Sequence, residues 1–311
     1  MYIVLHERTA LSAQSTQELK SNFNIFEGKL KVKNSCGKFR IAFSLLLCTY
    51  EKDNPIHLKE CLDSILSGTV FPDEMIVVKD GPLTAELDEV LAKTNFPFET
   101  NIISFPTNQT LGVARREGVK AAKHDWVALM DSDDINFSNR FELQLAEITK
   151  NPNTDILGGQ IAEFNETPNR THAFRIVPIT HDAIKAHSKK RNPFNAMTVM
   201  FKKDLAIKSG NFRYFPGFED YDLWVRMIKS GAVCQNCEDV LVYARTGGGM
   251  YARRSGINYV KHEWRMQRQL RSINYICRQQ FFINLVSRIP LRLLPRYIIE
   301  RIYTKFLRKK F

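Results

Sequence analysis

A chain of 311 residues with 44% hydrophobic and 25% charged side chains is ordinary globular material, and 15 Gly and 12 Pro exclude collagen-like and low-complexity architectures. The formal charge of +12 points to nucleic acid, phosphorylated substrates or anionic lipid as partners. From Arg288 onward there are eight basic residues and one acidic, so the tail carries +7, the other 287 residues only +5, and a uniformly basic fold is excluded.

Residues 1–38 show weak periodicity and read as a helix-and-hairpin lead-in or a partly ordered extension. From Arg40 to Cys48, RIAFSLLLC is the near-continuous apolar run of a strand buried on both faces. Leu58–Leu66 repeats apolar residues at helical spacing, and Glu74–Val78 is a second strand ending in the turn Lys79-Asp80-Gly81-Pro82. A helix over Ala85–Ala92, a strand over Asn101–Phe105 and a helix over Gly112–Lys123 follow. Trp126–Met130 is another buried strand, stopped by Asp131-Ser132-Asp133-Asp134. Such alternation predicts an α/β fold, a mainly parallel mixed sheet sandwiched by helices, with ligands at the carboxyl ends of its strands. Beyond a soft boundary at 151–155 come strands over Ile156–Phe164 and Met197–Phe201, then helices over Tyr221–Lys229 and Tyr259–Leu270. The expected organisation is an extension (1–38), a catalytic domain (39–265, with halves 39–150 and 151–265) and a helical basic region (266–311).

Of six cysteines, Cys234 and Cys237 form a lone C-x-x-C without the second half of a zinc site, and Cys48 and Cys61 read as small core hydrophobes. His172, His181 and His187 are too scattered for one metal site. No apolar run reaches the ~18 residues of a membrane span, and the first residues lack the basic-then-apolar order of a secretory signal. A cytoplasmic chain is expected.

Two acidic clusters carry chemistry. Asp131 and Asp133, one residue apart at a strand end, can hold a divalent cation and leave positions open for phosphate and water; the bland alternative is an acidic turn in which Asp134 or Ser138 caps the next helix. Glu219, Asp220 and Asp222 lead into a helix, where the macrodipole also favours acids. Two separated clusters invite a division of labour between metal binding and proton abstraction.

The ordered series LLLCTYEKDN (45–54), VVKDGP (77–82), NQTLGVARREGV (108–119), ALMDSDD (128–134) and FEDYDLWVRM (218–227) resembles inverting family-2 glycosyltransferases. YARTGGGMYARRSG (243–256) is similar to their capsule and exopolysaccharide branch. The resemblance implies a GT-A-like, Rossmann-related fold and a nucleotide-sugar donor, most readily UDP-linked. Thr49, Tyr50 and Glu51 would form the first nucleotide loop, Asp80 would contact uracil or ribose, and Asn108 and Arg115 would contact donor. The motif's usual Asn is Arg116 here. Asp131 and Asp133 would hold Mn²⁺ or Mg²⁺ against the diphosphate, Asp133 as the direct ligand. Asp220 would be the catalytic base beside Glu219, with Asp222 a structural acid. Arg253 and Arg254 could hold the diphosphate or an acceptor phosphate, or lie in a solvated basic loop after Gly247-Gly248-Gly249.

In the tail, Ile298, Ile302 and Phe306 share one helical face while Arg301, Lys305 and Arg308 lie opposite, and Pro290 and Pro295 interrupt any longer helix. Such a helix packs on its own domain or lies on an anionic membrane. With the lipid-linked or surface-polysaccharide acceptors that the resemblance implies, peripheral contact with the inner face of the cell membrane through 288–311 is the expectation. No nucleic-acid motif accompanies the charge. A sugar nucleotidyltransferase would need a Gly-rich basic loop where CTYEKDNP stands; a non-catalytic membrane-surface or nucleic-acid-binding module would not need Asp131, Asp133 and Asp220 together.

Overall fold

In the computed structural model, which describes residues 23–26, 29–33, 39–246 and 256–293, the apolar run over Arg40–Cys48 divides at Ala42. The chain forms two compact units, Met1–Ala42 and Phe43–Phe311. The first holds an antiparallel sheet of β1 (Phe23–Phe26), β2 (Lys29–Lys33) and β3 (Phe39–Ile41), with Phe23 opposite Val32 and Lys31 opposite Ile41.

The second unit is the α/β layer that the alternation implies. In chain order it comprises β4 (Phe43–Thr49), α1 (Pro55–Leu66), β5 (Glu74–Lys79), α2 (Ala85–Lys93), β6 (Glu99–Ser104), α3 (Leu111–Ala121), β7 (Trp126–Asp131), β8 (Ile135–Asn136) and α4 (Arg140–Lys150). Then follow β9 (Ile156–Phe164), β10 (Ala173–Arg175), α5 (His181–Ser188), β11 (Met200–Lys202), α6 (Lys203–Lys208), α7 (Glu219–Lys229), β12 (Cys234–Arg245), α8 (Ile257–Ser272) and α9 (Arg278–Leu293). Nine strands make one mixed sheet in the order β6-β5-β4-β7-β11-β9-β12-β8, with β10 on β9. The first four are parallel; β11 runs antiparallel between β7 and β9. Leu46 lies between Ile76 and Leu129, which explains the unbroken apolar run of a strand paired on both sides.

Several ends shift from the periodicity for identifiable reasons. α1 starts at Pro55 because Asn54 caps it, its Oδ1 accepting from Ile56 N at 2.8 Å. α7 begins two residues before Tyr221, which puts Glu219 and Asp220 in its first turn. Its Trp224 is fully buried, with Phe201, Phe212 and Phe194 at 5.4, 5.9 and 5.9 Å between ring centroids, and this aromatic cluster fixes α7.

α9 runs through Pro290, contrary to the expected interruption. Proline forfeits one bond to the carbonyl four residues back, here that of Val286, which stands 74% exposed, so water can replace it. Arg288 and Arg292 also turn inward rather than toward a surface. Arg288 Nη1 lies 2.7 Å and Arg292 Nη2 3.8 Å from the fully buried carboxylate of Glu263 on α8. The tail residues 294–311, with the expected amphipathic face, lie outside the described residues.

Candidate active site

β5 and β6 stack on one side of β4 and β7 on the other, so successive connections diverge at the β4–β7 boundary and open a crevice at the strands' carboxyl ends. A cleft of about 430 Å³ occupies that place, walled by the turns after β4, β5 and β7 and by the start of α3.

After β4, Thr49 and Tyr50 line the cleft. Glu51 is exposed and off its wall, and the carboxylate on this loop that does face the cleft is Asp53. The turn closes through Asp53 N to Tyr50 O at 3.0 Å. Asp53 Oδ2 accepts from Ser132 Oγ at 2.7 Å and from Tyr50 N at 3.3 Å, joining the first loop to the D-x-D turn. Burial raises the Asp53 carboxyl above its ordinary value, against the pull of these donors.

After β5, Asp80 is buried. Its Oδ1 accepts from Gln109 N at 2.6 Å, and Asn108 Nδ2 donates to its carbonyl at 3.1 Å. Gly81 allows this approach: its φ is +95°, and a Cβ there would sit 2.8 Å from Asn108 N. The wall continues to Thr110, a β-branched residue at φ 82°, ψ 152°, a region populated essentially by glycine. Strain is therefore stored at the N-terminus of α3.

After β7, the D-S-D-D turn assigns its carboxylates separately. Asp131 Oδ1 accepts from Arg115 Nη2 at 2.6 Å, and Asp133 lines the cleft. Asp134 points into the protein and accepts from Arg245 N at 2.8 Å; burial, then Asp133 and Asp131, holds its carboxyl well above the usual range. Neither Asp134 nor Ser138 caps α4, whose N-cap is Asn139, because Asp134 is already committed to β12. The Arg245 guanidinium donates to Asp133 O at 3.1 Å, pairs with Glu60 and lies 4.6 Å over the Phe164 ring. Beneath the turn, fully buried Arg140 donates to Leu129 O at 2.8 Å and Asn136 Oδ1 at 2.7 Å; burial pulls it down to about 9.

The second acidic cluster, at the start of α7, is not on the cleft wall but packs against the helix that closes it. Gly112 brings the start of α3 against it: a Cβ at Gly112 would meet Arg213 O at 2.2 Å and Glu219 Cβ at 3.3 Å. Arg115, one helical turn on, is buried among Asp131, Glu219 and Asp220; burial pulls its guanidinium down, but these acids raise it overall. One cation thus pairs with the first acidic cluster and lies within electrostatic range of the second, almost 90 residues away in sequence. Burial and then Asp220 raise the Glu219 carboxyl, with Arg115 opposing. Asp220 is oriented by Asn192 Nδ2, which donates to its Oδ2 at 2.6 Å, and by Tyr221 N to its Oδ1 at 2.7 Å. Asp222 turns away, 1% exposed, and accepts from Arg226 at 2.8 and 3.0 Å, as expected of a structural acid.

Arg253, Arg254 and Gly247–Gly249 lie outside the described residues. Arg116 turns to Glu117, its Nε 2.8 Å from Oε1. Cys234 and Cys237 are free buried thiols on β12, and burial raises both, Cys237 to about 12. His181 accepts from Cys234 N, away from the cleft. Sequence reasoning missed Asp53, Asn192 and Arg245; Asp53 alone carried a local signal, a second acid within the first polar loop.

A divalent ion would find oxygen ligands in Asp131 and Asp133, the hard donor set suited to Mg²⁺ or Mn²⁺. Among the described residues no three carboxylate, imidazole or thiol groups converge as a preformed metal site. Two carboxylates leave the remaining coordination positions of such an ion to groups from outside the protein.

The profile of the family described as Glycosyl transferase family 2 matches residues 44–215. A "UDP-Gal:alpha-D-GlcNAc-diphosphoundecaprenol beta-1,3-galactosyltransferase" of Escherichia coli is 38% identical over 86% of this chain and 97% of its own. The "Amylovoran biosynthesis glycosyltransferase AmsE" of Erwinia amylovora is 32% identical over 85% of this chain and 98% of its own. Among solved structures, Staphylococcus aureus TarS in complex with UDP-GlcNAc superposes with a TM-score of 0.57 at 18% identity, covering 74% of this chain and 66% of that one. The mannosyltransferase PcManGT of Pyrobaculum calidifontis, in complex with GDP-Man and Mn²⁺, gives 0.58 at 14% identity, covering 80% and 69%. These two share the fold.

Proposed function

Since the chain belongs to Glycosyl transferase family 2 and is a glycosyltransferase, we propose that it moves a hexosyl or N-acetylhexosaminyl group from a UDP-linked donor to a lipid-linked saccharide with inversion. The acceptor would be a precursor of a surface polysaccharide. The carrying observation is the cleft at the strands' carboxyl ends, where Arg115 pairs with Asp131 of the D-x-D turn and lies within electrostatic range of the Glu219–Asp220 pair. The Escherichia coli relative, named for UDP-Gal and a diphosphoundecaprenol-linked acceptor, supports the substrate classes.

Asp80, Asn108 and the Thr49–Tyr50 loop hold the nucleoside. Asp131 and Asp133 would hold Mn²⁺ or Mg²⁺, which when bound would stabilise charge building on the departing diphosphate. Arg115 keeps Asp131 in place and supplies positive charge between the two reacting ends. Asp220, with both oxygens oriented by hydrogen bonds, takes the proton of the attacking acceptor hydroxyl as that oxygen bonds to the anomeric carbon. The glycosidic bond to the diphosphate breaks in the same displacement, and one displacement inverts the centre without a protein nucleophile. Glu219 sets the field around that base. Arg253 and Arg254 remain candidates for a phosphate.

No helix among the described residues is long and apolar enough to cross a membrane. The basic residues beyond Arg292 are proposed to hold the enzyme at the inner membrane face.

Asp220→Asn tests the base. UDP affinity should stay within about twofold while transfer falls roughly 10²–10⁴-fold. Transfer at the normal rate would remove Asp220 from that role.

A further inference from the structure

The loop that orients Asp220 is also the most cationic short segment beside it. Lys189, Lys190 and Arg191 are consecutive and exposed, and the next residue, Asn192, donates to Asp220. Chain geometry puts the Arg191 backbone within roughly 10 Å of the Asp220 carboxylate.

This loop is built, not loose. Lys190 N and Arg191 N both donate to His187 O, at 2.8 and 2.9 Å. Asn284 Nδ2 of α9 donates to Lys189 O at 2.9 Å, Arg175 Nη2 to Asn192 O at 3.3 Å, and Tyr221 Oη to Ser188 O at 2.5 Å. Positive charge concentrates here: burial first, then Arg191, Arg175, Arg288 and Lys190, press the His187 imidazole down to about 4. Between Ala183 and Asn192 the sequence itself holds no acidic residue.

The cationic loop and the proposed base follow one another, linked by the hydrogen bond from Asn192 to Asp220. That order matches an acceptor with a diphosphate next to its reacting saccharide, and a saccharide without phosphate would not need the cationic loop.

We infer that Lys189, Lys190 and Arg191 form the subsite for the diphosphate of a lipid-linked acceptor, with Asn192 setting the register to Asp220. The inference rests on the acceptor class proposed above.

The test is calorimetric titration of the full chain with geranyl diphosphate, inorganic pyrophosphate and, with Mn²⁺, UDP. The combined Lys189→Gln, Lys190→Gln, Arg191→Gln variant should bind geranyl diphosphate at least tenfold more weakly and keep UDP affinity within twofold. Lys189→Arg, Lys190→Arg, Arg191→Lys should retain geranyl diphosphate, which separates lost charge from lost folding. The inference is overturned if wild type does not bind geranyl diphosphate, if the glutamine variant binds it normally, or if UDP affinity falls in parallel. Binding that depends on the loop, in an enzyme that transfers no sugar to any lipid diphosphate-linked saccharide, would leave the subsite standing and remove the acceptor reading.

Discussion

Replacing Arg115 by Met keeps the aliphatic volume and removes the cation between the two acidic clusters. The Arg115 side chain is 5% exposed and Asp131 31%, with Nη2 and Oδ1 2.6 Å apart. Charge centres about 4 Å apart at an effective dielectric near 20 interact by about 4 kcal/mol. Water reaches Asp131, so a net loss of about 2 kcal/mol is the working figure, short of the 3–5 kcal/mol typical of fully buried pairs. The Glu219 carboxyl, already raised by burial and Asp220, should rise further once Arg115 no longer opposes them. Urea unfolding followed by tryptophan fluorescence measures the loss, and a cycle with Asp131→Asn isolates the pair. We expect a coupling of at least ~1 kcal/mol, together with weaker UDP binding in the presence of Mn²⁺. Additivity within about 0.5 kcal/mol and unchanged UDP affinity would refute the bridging role.

Thr110→Gly should stabilise the protein by about 1 kcal/mol, because relief of roughly 1–3 kcal/mol of backbone strain exceeds the entropy that glycine loses; a lower Tm would show that the Thr110 conformation is not strained. His187 is neutral in both folded and unfolded chains above its ordinary value of 6.5. Between 6.5 and about 4 only the unfolded chain takes up the proton, so stability falls as pH falls through that window and levels off below it. After discounting for solvent, the loss is on the order of 1–2 kcal/mol, and His187→Asn should flatten that limb of the urea-midpoint profile. Arg288→Met should cost about 3 kcal/mol, because Glu263 would keep only the neutral donor Gln267 at 3.0 Å and Arg292 at 3.8 Å; hydrogen exchange should locate the loosening in α8 and α9.

The local pattern carried the framework. LLLC and WVALM read as buried strands because a strand paired on both sides leaves no polar face. The acids after them fell at the ligand edge because parallel strands end together. Glu219 and Asp220 were legible as a pair, and so was the separate character of Asp222. Periodicity did not expose β12: its sequence CQNCEDVLVYAR mixes polar and apolar halves, and its pairing with β9 shifts register at Val240. Nor does sequence spacing show which carboxylate of the first loop faces inward. The turn closed by Asp53 N and Tyr50 O sends Glu51 to solvent and Asp53 to Ser132.

What the tertiary structure alone decided is which distant residues meet. Arg115 reaches Asp131 in the field of Glu219, Asn192 reaches Asp220, and Arg245 reaches the backbone of Asp133 from 112 residues away. Helix and strand periodicity arises from interactions within a few residues, so any stretch of sequence displays it. These meetings depend on strand order, on β11 entering antiparallel between β7 and β9, and on the packing that seats α7. Those are properties of the whole sheet, and no stretch of sequence contains them.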